Sequence, residues 1–249
     1  PIHNSWLDRP LSIAGSVALR DGENAVPKLE LIDLKAPVLT IPNLAIHMNR
    51  EVNKGVELNR QTDMLPYLGL VVMDGENMTE DYLLKVISKE LQIEKEDILS
   101  CDLYVYNNDK PEICGIEDTL FSAPRIDNIS SVAAGVEALV AAEHDAKGLQ
   151  MLAIWDNEEV GSQTKQGAAS TFLYDVLKRV VKALGGDEDA YQQIVANSFM
   201  VSCDNAHSIH PNHPEFSDPT NKVYMNRGIV IKYNASQRYT TDAVSAAVF

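Results

Sequence analysis

The chain has 249 residues, 45% of them hydrophobic, and a formal net charge of −15. That length holds one large domain or two modest ones with a substantial core. No apolar run approaches the ~20 residues of a membrane span, and the acidic balance repels a phosphate backbone, so neither membrane nor nucleic acid is an expected partner.

Residues 12–48 are rich in β-branched and apolar residues with alternation, as in Lys28-Leu29-Glu30-Leu31-Ile32-Asp33-Leu34. They predict several strands separated by turns at Asp21-Gly22 and Ala36-Pro37. Residues 49–78 are polar and irregular. Thr79-Glu80-Asp81 opens a predicted helix to about Leu91, with Thr79 as N-cap and acids in the first turn. Asp102 to Tyr106 is a further predicted strand. This half is β-rich with one helix.

After about Cys114 the pattern changes. Ser130 to His144 predicts a helix with Val132, Val136, Leu139 and Val140 on one face. Met151 to Trp155 predicts a strand, and Ser170 to Leu184 an amphipathic helix stopped by Gly185-Gly186. A third helix follows over Asp189 to Asn197, then strands over Ser198 to Cys203 and Gly228 to Tyr233. Such alternation predicts an α/β sheet with helices on its faces, whose ligand sites lie beyond the carboxyl ends of strands. The three cysteines, Cys101, Cys114 and Cys203, lack zinc-ribbon spacing and read as reduced core thiols of a cytoplasmic protein.

Acids fall at the ends of these elements. Met151 to Trp155 runs straight into Asp156-Asn157-Glu158-Glu159-Val160-Gly161-Ser162. Asp127 precedes the first helix of this half, and Asp204 ends the strand Phe199 to Cys203. His207, His210 and His213 follow within seven residues. Clustered carboxylates repel, and desolvation adds to the cost, so a cation is the simplest remedy. Each piece alone has a plainer reading. Asp127 caps its helix, Asp204 belongs to a turn, the histidines line a solvated loop, and Glu158-Glu159 sits at a helix N-terminus. Together, carboxylates from several strand ends suit a two-metal hydrolase, in which a neighbouring uncoordinated carboxylate serves as general base.

The strings Asp156 to Ser162, Arg125-Ile126-Asp127-Asn128 and Asp204-Asn205-Ala206-His207-Ser208-Ile209-His210-Pro211-Asn212 resemble the aspartyl aminopeptidase family of zinc metallopeptidases. So do Ile41-Pro42-Asn43-Leu44-Ala45-Ile46-His47 and Asn234-Ala235-Ser236-Gln237-Arg238-Tyr239. The resemblance implies a partial three-layer α/β/α metallopeptidase catalytic domain over 116–249 and a β-rich dimerisation domain over 1–115, whose first residues link from the catalytic part. It implies two divalent metal ions, zinc by family. Asp127 would bridge them, Glu159 would bind one and Asp204 the other, and Glu158 would be the general base. His210 would sit near the substrate, and His47 would reach into a neighbouring subunit's site. Members hydrolyse peptides from a free N-terminal residue, with preference for Asp or Glu, and assemble from dimers into twelve-subunit particles.

Two family features have no counterpart here: a metal-binding histidine in a His-Thr-Asp-Ser-Pro segment ahead of the dimerisation domain, and another near the family's C-terminus. The chain opens at proline and stops inside a predicted helix, Ala243 to Phe249, so both ends are expected to continue into something longer. An oxygen-only donor set selects less well for zinc, so this segment alone is expected to bind zinc weakly and to be inactive. Lys232 is a candidate for holding an acidic substrate side chain, but its strand position reads more readily as a surface lysine. Three other readings stay open: a non-catalytic assembly subunit, a related dinuclear aminopeptidase of other specificity, and simple metal storage.

Overall fold

The computed structural model describes residues 2–70, 81–143 and 148–249. The Thr79 cap and the helix end at His144 lie outside the described residues. The chain divides into two compact units, Pro1–Pro124 and Arg125–Phe249.

In the first unit, strands β1 (Leu11–Leu19), β2 (Lys28–Asp33) and β3 (Ile98–Asn107) form an antiparallel sheet in the order β2-β1-β3. Alternation in β1 sets one face. Leu11, Ile13, Val17 and Leu19 are buried, as is Ile32 of β2. Helix α1 (Tyr82–Leu91) covers part of that face because Leu83, Leu84, Ile87 and Leu91 recur at helical spacing. Ile87 is fully buried among Val17, Leu19 and Ile32. Burying one such aliphatic side chain contributes about 1.5–3 kcal/mol. A second cluster joins Leu11 and Ile13 to Leu39 and Ile41. Gly15 lies where β1 meets β3, and a Cβ there would fall 2.0 Å from the Asp102 carbonyl oxygen, so no other residue fits.

The opposite face of the sheet is different. Ala14, Ser16 and Ala18 of β1 lie beside Leu29 and Leu31 of β2 and Tyr104 of β3. Those three large side chains are 65%, 77% and 70% exposed. A hairpin of β4 (Glu112–Cys114) and β5 (Leu120–Ser122) completes the unit.

The second unit carries helices α2 (Ile126–Ala141), α3 (Phe172–Ala183), α4 (Glu188–Ala196) and α5 (Ala243–Val248). Asp127 and Asn128 depart from helical dihedrals, so the regular part of α2 begins after them. The Asp127–Asn128 peptide bond is cis. Gly185, with φ 87°, ends α3 as its sequence predicts. The Asp187 carboxylate then accepts from the Ala190 amide at 2.9 Å and caps α4. Lys178 of α3 meets Glu188 at 2.7 Å and lies over the Tyr174 and Tyr191 rings, tying α3 to α4. At α5, Asp242 and Ser245 form a reciprocal capping box.

Three expectations need correction. The segments predicted as strands over Met151 to Trp155, Ser198 to Cys203 and Gly228 to Tyr233 make no ladder among the described residues. A strand exists only through its partners' hydrogen bonds. These segments have the apolar composition of buried strands but not the pairing, and Ile154, Met200 and Ile229 are half-exposed or more. The predicted apolar stripe of α2 is likewise not a core face, since Val136 and Val140 are exposed. The cysteines are free; Cys101 is half-buried against the Val17–Ile87 cluster, Cys114 is half-buried and Cys203 is exposed, so Cys203 is not a core thiol.

No described helix is long and apolar enough to cross a membrane.

Candidate active site

Two distant pieces of the second unit meet. The head of α2 brings Asp127 and Asn128, and the end of the 198–203 segment brings Asp204 and Asn205. The Asn128 side-chain amide donates to Asp204 Oδ1 at 2.9 Å. Asn205 returns the contact, donating from Nδ2 to the Ile126 carbonyl at 3.0 Å, while Ser130 Oγ donates to Asn205 Oδ1 at 3.0 Å. The two asparagines thus fix the Asp204 segment against the head of α2. Asp127 has non-helical dihedrals and is exposed at the head of α2. Asp127 is therefore not the helix cap of the plainer reading; the N-cap position belongs to Arg125, with no side-chain cap.

Lys232 completes the group. Its ammonium donates to Asp204 Oδ2 at 3.2 Å and to the Asn205 carbonyl at 2.7 Å, and lies 5.6 Å from the centre of the Tyr239 ring. It is half-buried against Asp204, which corrects its reading as a surface lysine. Partial burial pushes the Asp204 carboxyl up. The Lys232 hydrogen bond and charge, the Asn205 amide and the Asp127 side chain outweigh that and hold it below the ordinary carboxylate range.

Asp156 to Ser170 forms a loop closed on itself. Asp156 accepts from the Asn157 amide, Gly161 N–H donates to the Asn157 carbonyl at 2.8 Å, and Ala169 N–H donates to the Ser162 carbonyl at 3.0 Å. Gly167 is buried against Ser162, and a Cβ there would fall 2.4 Å from the Ser162 carbonyl oxygen. Glu158 and Glu159 are exposed on this loop and belong to no helix. The structure does not bring Glu159 into one group with Asp127 and Asp204: among the described residues, no three His, Cys, Asp or Glu side chains are set to hold a metal ion.

The histidine segment is an exposed turn. His210 Nδ1 accepts from the Asn212 amide at 3.2 Å. His213 pairs with Glu215 at 3.0 Å, a bond that lowers the Glu215 carboxyl below its ordinary value, and stacks on Phe216. His207 is exposed nearby in sequence. In the first unit, His47 is exposed on a turn closed by Met48 N–H to the Ala45 carbonyl at 2.8 Å.

The Asp127–Asp204 pair fits a divalent cation in kind. Both are hard oxygen donors, and Oδ1 of Asn128, the residue whose amide touches Asp204, is buried with no partner among the described residues. It stops at two carboxylates, where zinc takes three or four protein donors. Sequence reasoning missed Asn128 and Asn205 as the clamps. The signal was there, since each directly follows one of the acids.

A family profile described as aminopeptidase I zinc metalloprotease (M18) matches residues 1–249. The chain is 47% identical over 250 residues to the protein named "Probable M18 family aminopeptidase 2" of Clostridium novyi (strain NT), covering 100% of this chain and 57% of that one. Among solved structures it is similar to a chain of the Ape4 and Nbr1 complex, with TM-score 0.86, 30% identity, and coverage of 99% of this chain and 50% of that one. It is also similar to the S. cerevisiae mApe1 dodecamer, with TM-score 0.74, 26% identity, and coverage of 98% and 55%. The fold is therefore the mixed α/β fold of these proteins, in part, and the chain spans 57% of the curated relative's length.

Proposed function

Because this chain belongs to the aminopeptidase I zinc metalloprotease (M18) family, we propose that the protein it represents removes N-terminal residues from peptides with two zinc ions. The observation that supports this reading is the Asn128 amide on Asp204 Oδ1, which joins the head of α2, where Asp127 lies, to the Asp204 segment across 76 positions of sequence. Asp127, Glu159 and Asp204 would hold the ions. When bound, the ions polarise the scissile carbonyl and make the attacking water acidic.

Glu158, adjacent to a ligand but left uncoordinated, takes the water's proton and passes it to the leaving amine. His210 donates toward the oxygen of the tetrahedral intermediate, and His47 serves the site of a neighbouring subunit. An acidic N-terminal residue is the preferred substrate, and Lys232 is the cation beside Asp204 that suits its carboxylate.

The protein works as a homo-oligomer built from dimers, with twelve subunits as in the mApe1 dodecamer. The exposed Leu29, Leu31 and Tyr104 face supports the β-rich domain as the dimer surface. Its three free cysteines suit a cytoplasmic location.

The test is hydrolysis of peptides that differ only in the first residue, with bound zinc counted in the same sample. Release of N-terminal Asp and Glu ahead of Leu and Lys, in a zinc-loaded protein, is the expected result. Zinc without cleavage of any peptide would point to the assembly-subunit reading, and cleavage without acidic preference to a related aminopeptidase.

A further inference from the structure

The turn that carries His47 is held at its base by a residue from another part of the first unit. Asp8 has φ 58°, the left-handed region that Asp tolerates better than most residues. Its backbone N–H donates to the Ile41 carbonyl at 2.8 Å, and its Oδ1 accepts from the Asn43 amide at 3.0 Å. One residue thus holds both neighbours of Pro42, the farther of them 35 positions away in sequence.

Behind Ile41 the chain is fixed. Ile41 is buried with Leu11, Ile13 and Leu39, and Thr40 exchanges backbone hydrogen bonds with Tyr67 at 3.1 and 2.7 Å. Beyond Asn43 the turn holds itself. Leu44 N–H donates to Asn43 Oδ1 at 2.8 Å, and the Met48 and Asn49 amides donate to the Ala45 carbonyl at 2.8 and 3.3 Å. Leu44, Ile46 and Met48 are exposed around an exposed His47. Three apolar side chains and an imidazole on one turn suit contact with another protein surface.

We propose that Asp8 is a positioning residue for His47: its carboxylate, by holding the Asn43 amide, fixes the direction in which the 43–49 turn leaves the buried cluster and presents the imidazole. The proposal rests on the reading of His47 as a residue that serves a neighbouring subunit's site. A hydrogen bond to a charged acceptor is stronger than one between neutral groups. This one lies at the surface, so its loss leaves Leu11, Ile13, Leu39 and Ile41 packed. Removing the carboxylate therefore frees the turn without unfolding the unit.

The test combines amide hydrogen exchange with peptide hydrolysis by the whole assembled protein, in Asp8→Gly, Asp8→Asn, His47→Ala and the Asp8→Gly/His47→Ala double variant. Glycine adopts φ 58° freely and removes the carboxylate. Asparagine tolerates the same conformation and keeps an acceptor oxygen. Asp8→Gly is expected to speed exchange of the Asn43 amide on the order of 3- to 10-fold and to lower kcat/KM by a similar factor. Asp8→Asn stays near the parent in both. Because Asp8 works through His47, Asp8→Gly lowers kcat/KM no further once residue 47 is alanine. A residue that merely stabilises the unit would lower it by the same factor in both backgrounds.

His47→Ala separates the two layers. If it lowers hydrolysis while Asp8→Gly does not, or if the two losses multiply, the positioning role is overturned and the reading of His47 stands. If the parent cleaves no peptide, or His47→Ala cleaves as the parent does, the reading of His47 fails and the proposal with it.

Discussion

The Asn128 side-chain amide sits 2.9 Å from Asp204 Oδ1 and joins the head of α2 to a segment 76 residues further along the chain. A hydrogen bond to a charged group contributes about 1.5–3 kcal/mol when shielded and less when exposed. Asn128→Ala is therefore expected to weaken zinc binding several-fold while leaving the helix content of the chain intact. Zinc titration followed by far-ultraviolet circular dichroism checks both halves. Unchanged zinc affinity would remove Asn128 from the site.

Ligand and base are separable. Glu158→Gln is expected to keep bound zinc and to lower kcat by at least about 10²-fold in the zinc-loaded protein, the scale of lost general base catalysis. Asp127→Ala is expected to lose zinc. Metal analysis beside single-turnover hydrolysis distinguishes them, and equal loss of zinc in the two variants would mean the roles are misassigned.

Ile87 anchors α1 to the three-stranded sheet and is fully buried. Ile87→Ala leaves a cavity against Val17, Leu19 and Ile32, which destabilises by about 2–5 kcal/mol. Urea unfolding of the two chains, compared at equal slope, measures it. A change below about 1 kcal/mol would show that the sheet and helix collapse around the gap.

The link between α3 and α4 is expected to respond to acid. Lys178, followed by Gln192, holds the Glu188 carboxyl below its ordinary value. A depressed folded value means the contribution is complete above the ordinary glutamate range and is lost as pH falls through the folded value. The protection factors of the α4 amides, corrected for the intrinsic slowing of exchange in acid, should therefore fall below the ordinary glutamate range. In Lys178→Met the Glu188 carboxyl should titrate nearer the ordinary value in a carboxyl-detected NMR experiment. Identical titration in both chains would show that the ion pair is not formed in solution.

The elements whose signals are local were legible in the sequence. β2 follows the alternation of Lys28 to Asp33, α3 ends at Gly185, and α4 begins beside an acid that caps it. Asp127 and Asp204 were singled out as members of one site, and the segments that carry them are joined through Asn128 and Asn205. What was not legible depends on partners distant in sequence. The runs around Ile154, Met200 and Ile229 have strand composition, but composition does not supply a neighbour to pair with, and none pairs among the described residues. Lys232 was a candidate but read more readily as a surface residue, for a related reason. Its contact with Asp204 lies 28 positions away, and a strand position alone does not show it. Glu158 and Glu159 were read as strand-end acids, yet their geometry is set by a loop that closes on its own backbone.

That loop has a mechanical consequence. Gly161 N–H to the Asn157 carbonyl and Ala169 N–H to the Ser162 carbonyl tie its two sides together, and Gly167 lets them touch. Glu158 and Glu159 therefore ride on one preassembled cassette. Any displacement of the loop that moves one of these carboxylates moves the other with it.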